Sequence, residues 1–187
     1  MTSHEDWLSP LPPGEGGVSG WGELMDILAA QVGELLKSHG LMLATAESCT
    51  GGGVAQAITE VAGSSAWFER GFVTYSNLSK QQMLDVREIT LTQYGAVSEM
   101  TVREMVAGAL QHSAAQVALA VTGIAGPDGG TADKPVGTVW FAWGIRQRNI
   151  HAQRYQLKGN RAEVRAQAVH IALQGVMDLL NQSTEMA

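Results

Sequence analysis

The apolar run Leu41-Met42-Leu43-Ala44 stops at a glycine-rich turn, and a helix-compatible pattern resumes directly beyond it. This junction constrains the chain more than any other segment, because strand, tight turn and helix in that order belong to α/β folds. Val54, Ala57, Ile58 and Val61 recur on one face of a helix expected over 51–61. Ser48, Cys49 and Thr50 are thereby placed at the carboxyl end of a strand. Ligands of open α/β sheets bind at that edge, where a helix start directs free backbone N–H groups and positive dipole outward. The expected ligand is anionic or develops negative charge.

The remaining pattern extends the same architecture. Residues 1–20, with Pro10, Pro12, Pro13, Gly14, Gly16, Gly17 and Gly20, lack an apolar period and are expected to form a flexible tail. From Trp21, Leu24, Ile27, Leu28, Gln31, Val32, Leu35 and Leu36 recur at helical spacing, and His39-Gly40 closes the helix. Strands are predicted over 71–75, 117–122, 138–145 and 150–157, the last two an antiparallel pair around a tight turn at 146–149. Ser76 or Asn77 caps a short helix carrying Lys80, one helical turn is expected over 90–94, and Ser98 caps a longer helix. A final helix is expected from Arg161 to about Leu180. The prediction is a three-layer α/β/α sandwich around a mixed, mostly parallel sheet of about five strands, in one domain over 21–182. A second glycine-rich loop, Gly123 to Gly130, also follows a strand.

Charge and composition exclude several classes. Twelve basic against 18 acidic side chains, a net charge of -6, and no basic tract give no footprint for DNA or RNA. No apolar run approaches the roughly 18 residues of a membrane span. The single cysteine forbids an internal disulfide, and no charged-then-apolar signal opens the chain, which predicts a cytoplasmic protein. Nucleotide-triphosphatase and dinucleotide glycine motifs are missing. Ala46-Glu47-Ser48-Cys49-Thr50 lacks the flanking glycines of a G-x-S-x-G elbow, and no Ser-x-x-Lys occurs. His4, His39, His112, His151 and His170 are scattered without ligand spacing, so neither a metal site nor a histidine-based triad is expected. What remains is a serine in a glycine-flanked turn, with a tyrosine and a lysine near another strand end. A serine hydroxyl needs a base to become nucleophilic. Either Lys80, with its amine neutral, or Tyr75, as a tyrosinate favoured by a charged Lys80, could serve. Taken singly, Ser48 or Thr50 reads as a helix cap, Glu47 as a cap or ion-pair partner, Cys49 as a small buried apolar residue, Tyr75 as a sheet-margin tyrosine and Lys80 as a solvated helix residue.

Five segments taken together carry a resemblance: Thr45-Ala46-Glu47-Ser48-Cys49-Thr50-Gly51-Gly52, Tyr75-Ser76-Asn77 with Lys80, Gly95-Ala96-Val97-Ser98-Glu99, Val121-Thr122-Gly123-Ile124-Ala125-Gly126-Pro127, and Lys134-Pro135-Val136-Gly137-Thr138-Val139. In this order they resemble the nicotinamide-nucleotide amidohydrolase family, also known as the C-terminal domain of competence/damage-inducible protein A. The similarity runs from about Trp21 to Leu180. It implies an α/β/α fold and hydrolysis of the carboxamide of nicotinamide mononucleotide to nicotinic acid mononucleotide and ammonia, in pyridine-nucleotide recycling. It also implies no cofactor, a metal-independent serine mechanism, a small-molecule nucleotide as the partner and a homodimer. Carried over by motif, Ser48 is the nucleophile with Tyr75 and Lys80 activating it. Glu47, Thr50, Gly51, Gly52, Thr122, Gly123 and Gly126 line the substrate pocket, with oxyanion-stabilising N–H groups expected near 50–52. Arg161, at a helix start, is expected to meet the substrate phosphate. Gly159-Asn160-Arg161 stands where members often show Gly-Asp-Arg, which bears on substrate affinity if that acid holds an arginine. Two other readings of the same residues are a nucleotide-binding module without turnover and an amidase for a different small amide.

Overall fold

The structure, a computed structural model, describes the backbone of residues 19–185. Most of the expected tail lies outside the described residues, but Ser19 and Gly20 already belong to the first helix, α1 (Ser19–Ser38). Strand β1 (Leu43–Glu47) begins two residues later than the apolar run suggested and reaches further into the turn. The reason is local: the Leu41 N–H bonds the Leu36 carbonyl and Gly40 has a left-handed φ of 63°, so Leu41 completes the C-terminal cap of α1. Helix α2 (Gly53–Thr59) is shorter than expected at both ends. Gly51 and Gly52 have φ of 60° and 95°, which no right-handed helix can contain, and they form the turn that precedes it.

Strand β2 (Phe68–Val73) starts three residues before its predicted position and releases Thr74 and Tyr75 to the loop beyond. Glu69 and Arg70 interrupt its apolar pattern because β2 is an edge strand, where charged side chains face water. Helices α3 (Asn77–Leu84), α4 (Glu88–Tyr94) and α5 (Glu99–Gln111) follow. Ser76 caps α3 in a reciprocal box with Ser79, and the Ser98 hydroxyl accepts from the Thr101 N–H to cap α5. The chain ends in β3 (Val117–Gly123), β4 (Thr138–Ile145), β5 (His151–Gln156) and α6 (Arg161–Glu185), the last running beyond Leu180.

The sheet order is β2-β1-β3-β4-β5. β1 pairs parallel with β2 and β3, while β4 is antiparallel to both neighbours, so four strands share one direction and the sheet is mixed but mostly parallel, as expected. Its two faces differ in bulk. Leu43, Leu119, Val121, Val139, Phe141 and Trp143 pack under α1, α2 and α6, whereas Ala44, Ala46, Ala118, Ala120 and Ala142 face α5. Small side chains on the second face let α5 lie close, and a glycine extends that closeness to α3. A Cβ on Gly108 would sit 2.0 Å from the Leu84 carbonyl oxygen, so α5 touches the end of the helix that carries Lys80.

Candidate active site

Because β1, β2 and β3 are parallel neighbours, their carboxyl ends open on one edge of the sheet. The turns leaving those ends enclose a cavity of about 270 Å³. Ser48 and Cys49 come from the end of β1, Tyr75, Asn77 and Lys80 from the segment after β2, Thr122 and Gly123 from the end of β3, and Ile124 to Gly126 with Asp128 from the loop beyond it.

Glu47 explains how the turn carrying Ser48 is held. It is fully buried, and its carboxylate accepts the Thr50 hydroxyl at 2.6 Å and the backbone N–H groups of Gly52, Val54 and Ala55 at 3.1, 3.0 and 2.8 Å. A negative charge placed on three N–H groups at a helix start satisfies the donors that the first turn leaves free. Glu47 is therefore the cap of α2 and not a pocket residue, which corrects the expectation that it contacts substrate. Thr50, Gly51 and Gly52 likewise build the turn behind the cavity rather than its wall. Of the N–H groups expected to stabilise an oxyanion, Gly51 N–H bonds the Ser48 carbonyl and Gly52 N–H bonds Glu47. Among the described residues, neither the Cys49 N–H nor the Thr50 N–H has a hydrogen-bond acceptor in another residue.

Ser48 and Lys80 meet at the base of the cavity. The Lys80 amine lies 2.9 Å from Ser48 Oγ and donates to the Thr74 carbonyl at 2.8 Å, with only 1% of the residue exposed. Among the described residues no carboxylate pairs with it, and burial pushes its pKa from 10.5 down to about 8. Tyr75 shares the cavity but behaves differently: it is 62% exposed, and its hydroxyl accepts from Arg161 at 3.0 Å. Of the two candidate partners of the serine, Lys80 is the one in hydrogen-bond contact with Ser48 Oγ. Burial pushes the Cys49 thiol up to about 12, so it stays protonated beside the serine at neutral pH.

Thr122 bonds the Ala96 carbonyl at 2.9 Å and so ties the segment before α5 to the rim of the site. Arg161 donates to the Gly126 carbonyl at 2.8 Å as well as to Tyr75, bracing the two loops across the opening. Asn160 does not hold it. The Asn160 side-chain oxygen accepts the N–H groups of Ala162 and Glu163 at 2.9 and 3.1 Å, capping α6 as an aspartate would. Asn77, named from the sequence only as a possible cap and a motif residue, and Asp128 and Arg165 were not given to the site. For Arg165 a signal existed, since it lies one helical turn after Arg161, and its guanidinium reaches the Thr50 carbonyl at 3.0 Å.

The constellation is thus a buried serine–lysine pair at a strand end with unbonded N–H groups beside it. Comparison with known proteins gives the family. The sequence pattern of the CinA C-terminal domain family matches residues 25–180. The chain belongs to this family. Nicotinamide-nucleotide amidohydrolase PncC of Escherichia coli is 55% identical over 162 residues, covering 87% of this chain and 98% of the relative. The protein of the same name from Pseudomonas putida is 53% identical over 152 residues, 81% and 94% of the two chains. The crystal structure of competence/damage inducible protein CihA from Agrobacterium tumefaciens superposes with a TM-score of 0.81 at 47% identity, covering 84% of this chain and 95% of the other. CinA-superfamily neighbours thus share the five-stranded mixed sheet with helices on both sides. Among the described residues, no helix is long and apolar enough to cross a membrane.

Proposed function

We propose that the protein hydrolyses the carboxamide of nicotinamide mononucleotide, giving nicotinic acid mononucleotide and ammonia, through a Ser48 nucleophile. The observation that carries this reading is the 2.9 Å contact between the buried Lys80 amine and Ser48 Oγ at the base of a cavity. Neutral Lys80 takes the Ser48 proton as Oγ bonds the amide carbon. The N–H of Cys49, a residue that lines the cavity, meets the developing oxyanion, charge that water would otherwise have to reorganise to stabilise. Collapse breaks the carbon–nitrogen bond, the lysine proton goes to the departing nitrogen, and ammonia leaves an ester on Ser48. Water then adds to that ester with Lys80 again as base, and the proton returns to Ser48 Oγ as the acid departs. No metal enters this scheme, and the names of the E. coli and P. putida relatives support the substrate class.

The reading places the enzyme in the cytoplasm, in pyridine-nucleotide recycling, and as a homodimer. Leu78, Ile89 and Tyr94, all exposed on α3 and α4, offer apolar area for such a contact, and light scattering reads the mass. Purified protein is expected to release ammonia from the mononucleotide faster than from free nicotinamide or the dinucleotide, at a rate a chelator leaves unchanged. Tight nucleotide binding in a calorimeter without ammonia release would instead make the chain a binding module.

A further inference from the structure

Asp128 is the one carboxylate among the described residues that line the cavity of Ser48, whose other charged groups are Lys80 and Arg161. Glu47, buried behind the turn, spends its charge on the start of α2. Asp128 belongs to no ion pair and its side chain makes no hydrogen bond among the described residues. Lys134, further along the same loop, is engaged by the Tyr94 carbonyl at 2.7 Å. The loop that presents Asp128 is packed in place. A Cβ on Gly126 would stand 2.5 Å from Val136 Cγ1, and one on Gly130 would stand 2.8 Å from the Val136 nitrogen, so both flanks of Asp128 lie on the segment before β4. Asp128 is exposed while Ser48 and Lys80 are buried, which sets this carboxylate at the mouth of the cavity and the serine at its base.

The substrate of the proposed reaction brings a charge of its own. Bonding its ring nitrogen to the sugar makes nicotinamide a pyridinium cation, with the charged nitrogen meta to the carboxamide. With the amide against Ser48, that nitrogen and its sugar lie on the outward side, on a wall whose Arg161 guanidinium repels a cation. A carboxylate partly screened from water by cavity walls offsets that repulsion more strongly than one in bulk solvent. We propose that Asp128 faces the pyridinium ring and selects cationic pyridine carboxamides over uncharged ones. The assignment rests on the mononucleotide reading and deepens it. It adds a specificity residue and gives a reason for free nicotinamide, uncharged at neutral pH, to be the poorer substrate.

Titration of the full chain with ring-N-methylated nicotinamide, a cation, and with meta-toluamide, its uncharged carbon isostere, tests the contact without turnover and without a phosphate. Followed by protein NMR shifts at low salt, the wild type is expected to bind the cation about threefold to fivefold more tightly, the scale of a partly exposed ion pair. Added salt should shrink that advantage. Asp128→Asn should lose it, with meta-toluamide bound as before and the thermal midpoint unchanged, while Asp128→Glu should keep most of it. A wild type that binds the cation no better than the isostere, or a preference that survives in Asp128→Asn, overturns the assignment even if the mononucleotide is hydrolysed. A preference that disappears in Asp128→Asn, in a protein whose wild type releases no ammonia from the mononucleotide, leaves the assignment standing and removes the amidase reading.

Discussion

Lys80 has two consequences that can be measured separately. As the proposed base it must be neutral, and with its pKa lowered to about 8 by burial the neutral fraction rises with pH through that value. The expected kcat/KM profile therefore climbs on its alkaline side through about 8 and then levels. Stability moves in a related way. Between pH 8 and 10.5 the unfolded lysine holds a proton that the folded one has shed, so the contribution of this group to stability rises with pH across that window. Below it, burying the cation costs roughly 3 kcal/mol. Lys80→Met should then abolish ammonia release while raising the thermal midpoint at pH 7, a trade-off expected where a group serves chemistry rather than folding. A variant with unchanged stability and normal kcat would show that Lys80 is neither buried as a base nor needed as one.

At the scale of elements, the site depends on how two helices are fixed. Helix α2 starts where it does because the Glu47 carboxylate gathers four donors, and a glutamine can offer only one oxygen to them. Glu47→Gln is expected to cost about 2–4 kcal/mol in urea unfolding. Its loss of activity should fall on kcat, because the turn holding Ser48 loosens while no substrate contact disappears. Helix α3 is set by α5 through Gly108, and an added methyl group there meets the Leu84 carbonyl at 2.0 Å. Gly108→Ala should destabilise by roughly 3 kcal/mol and lower kcat by displacing the helix of Lys80. The elements were largely legible in the sequence because their apolar periods and caps are local: Ser76, Ser98 and the 138–157 hairpin needed no tertiary information. The misplaced boundaries had local causes too, but ones that pattern does not display. Leu41 looks like a strand residue and acts as a helix cap, and Gly51-Gly52 fits a helical window while adopting φ values that exclude it.

For the whole molecule, the deciding fact is sheet order, which no spacing in the chain reveals. With β1 between β2 and β3, the turns after three strands converge on one edge, and residues 32 apart in sequence become the Ser48–Lys80 pair. β5 runs in the same direction as β3, so α6 also starts at that edge and Arg161 reaches Tyr75, 86 residues away. The motifs marked these segments as functional, yet their spacing could not distinguish a wall residue from a cap. Glu47 and Thr50 were for that reason given to the pocket, while Arg165, braced on the Thr50 carbonyl from another element, went unnoticed. The account as a whole rests on an ordinary hydroxyl made nucleophilic by a buried amine. The direct measurement is the rate of ammonia release from nicotinamide mononucleotide by Ser48→Ala against wild type, with folding checked by thermal unfolding. A loss of roughly a thousandfold or more is expected when a nucleophile is removed, and wild-type kcat/KM in the folded variant would contradict the account.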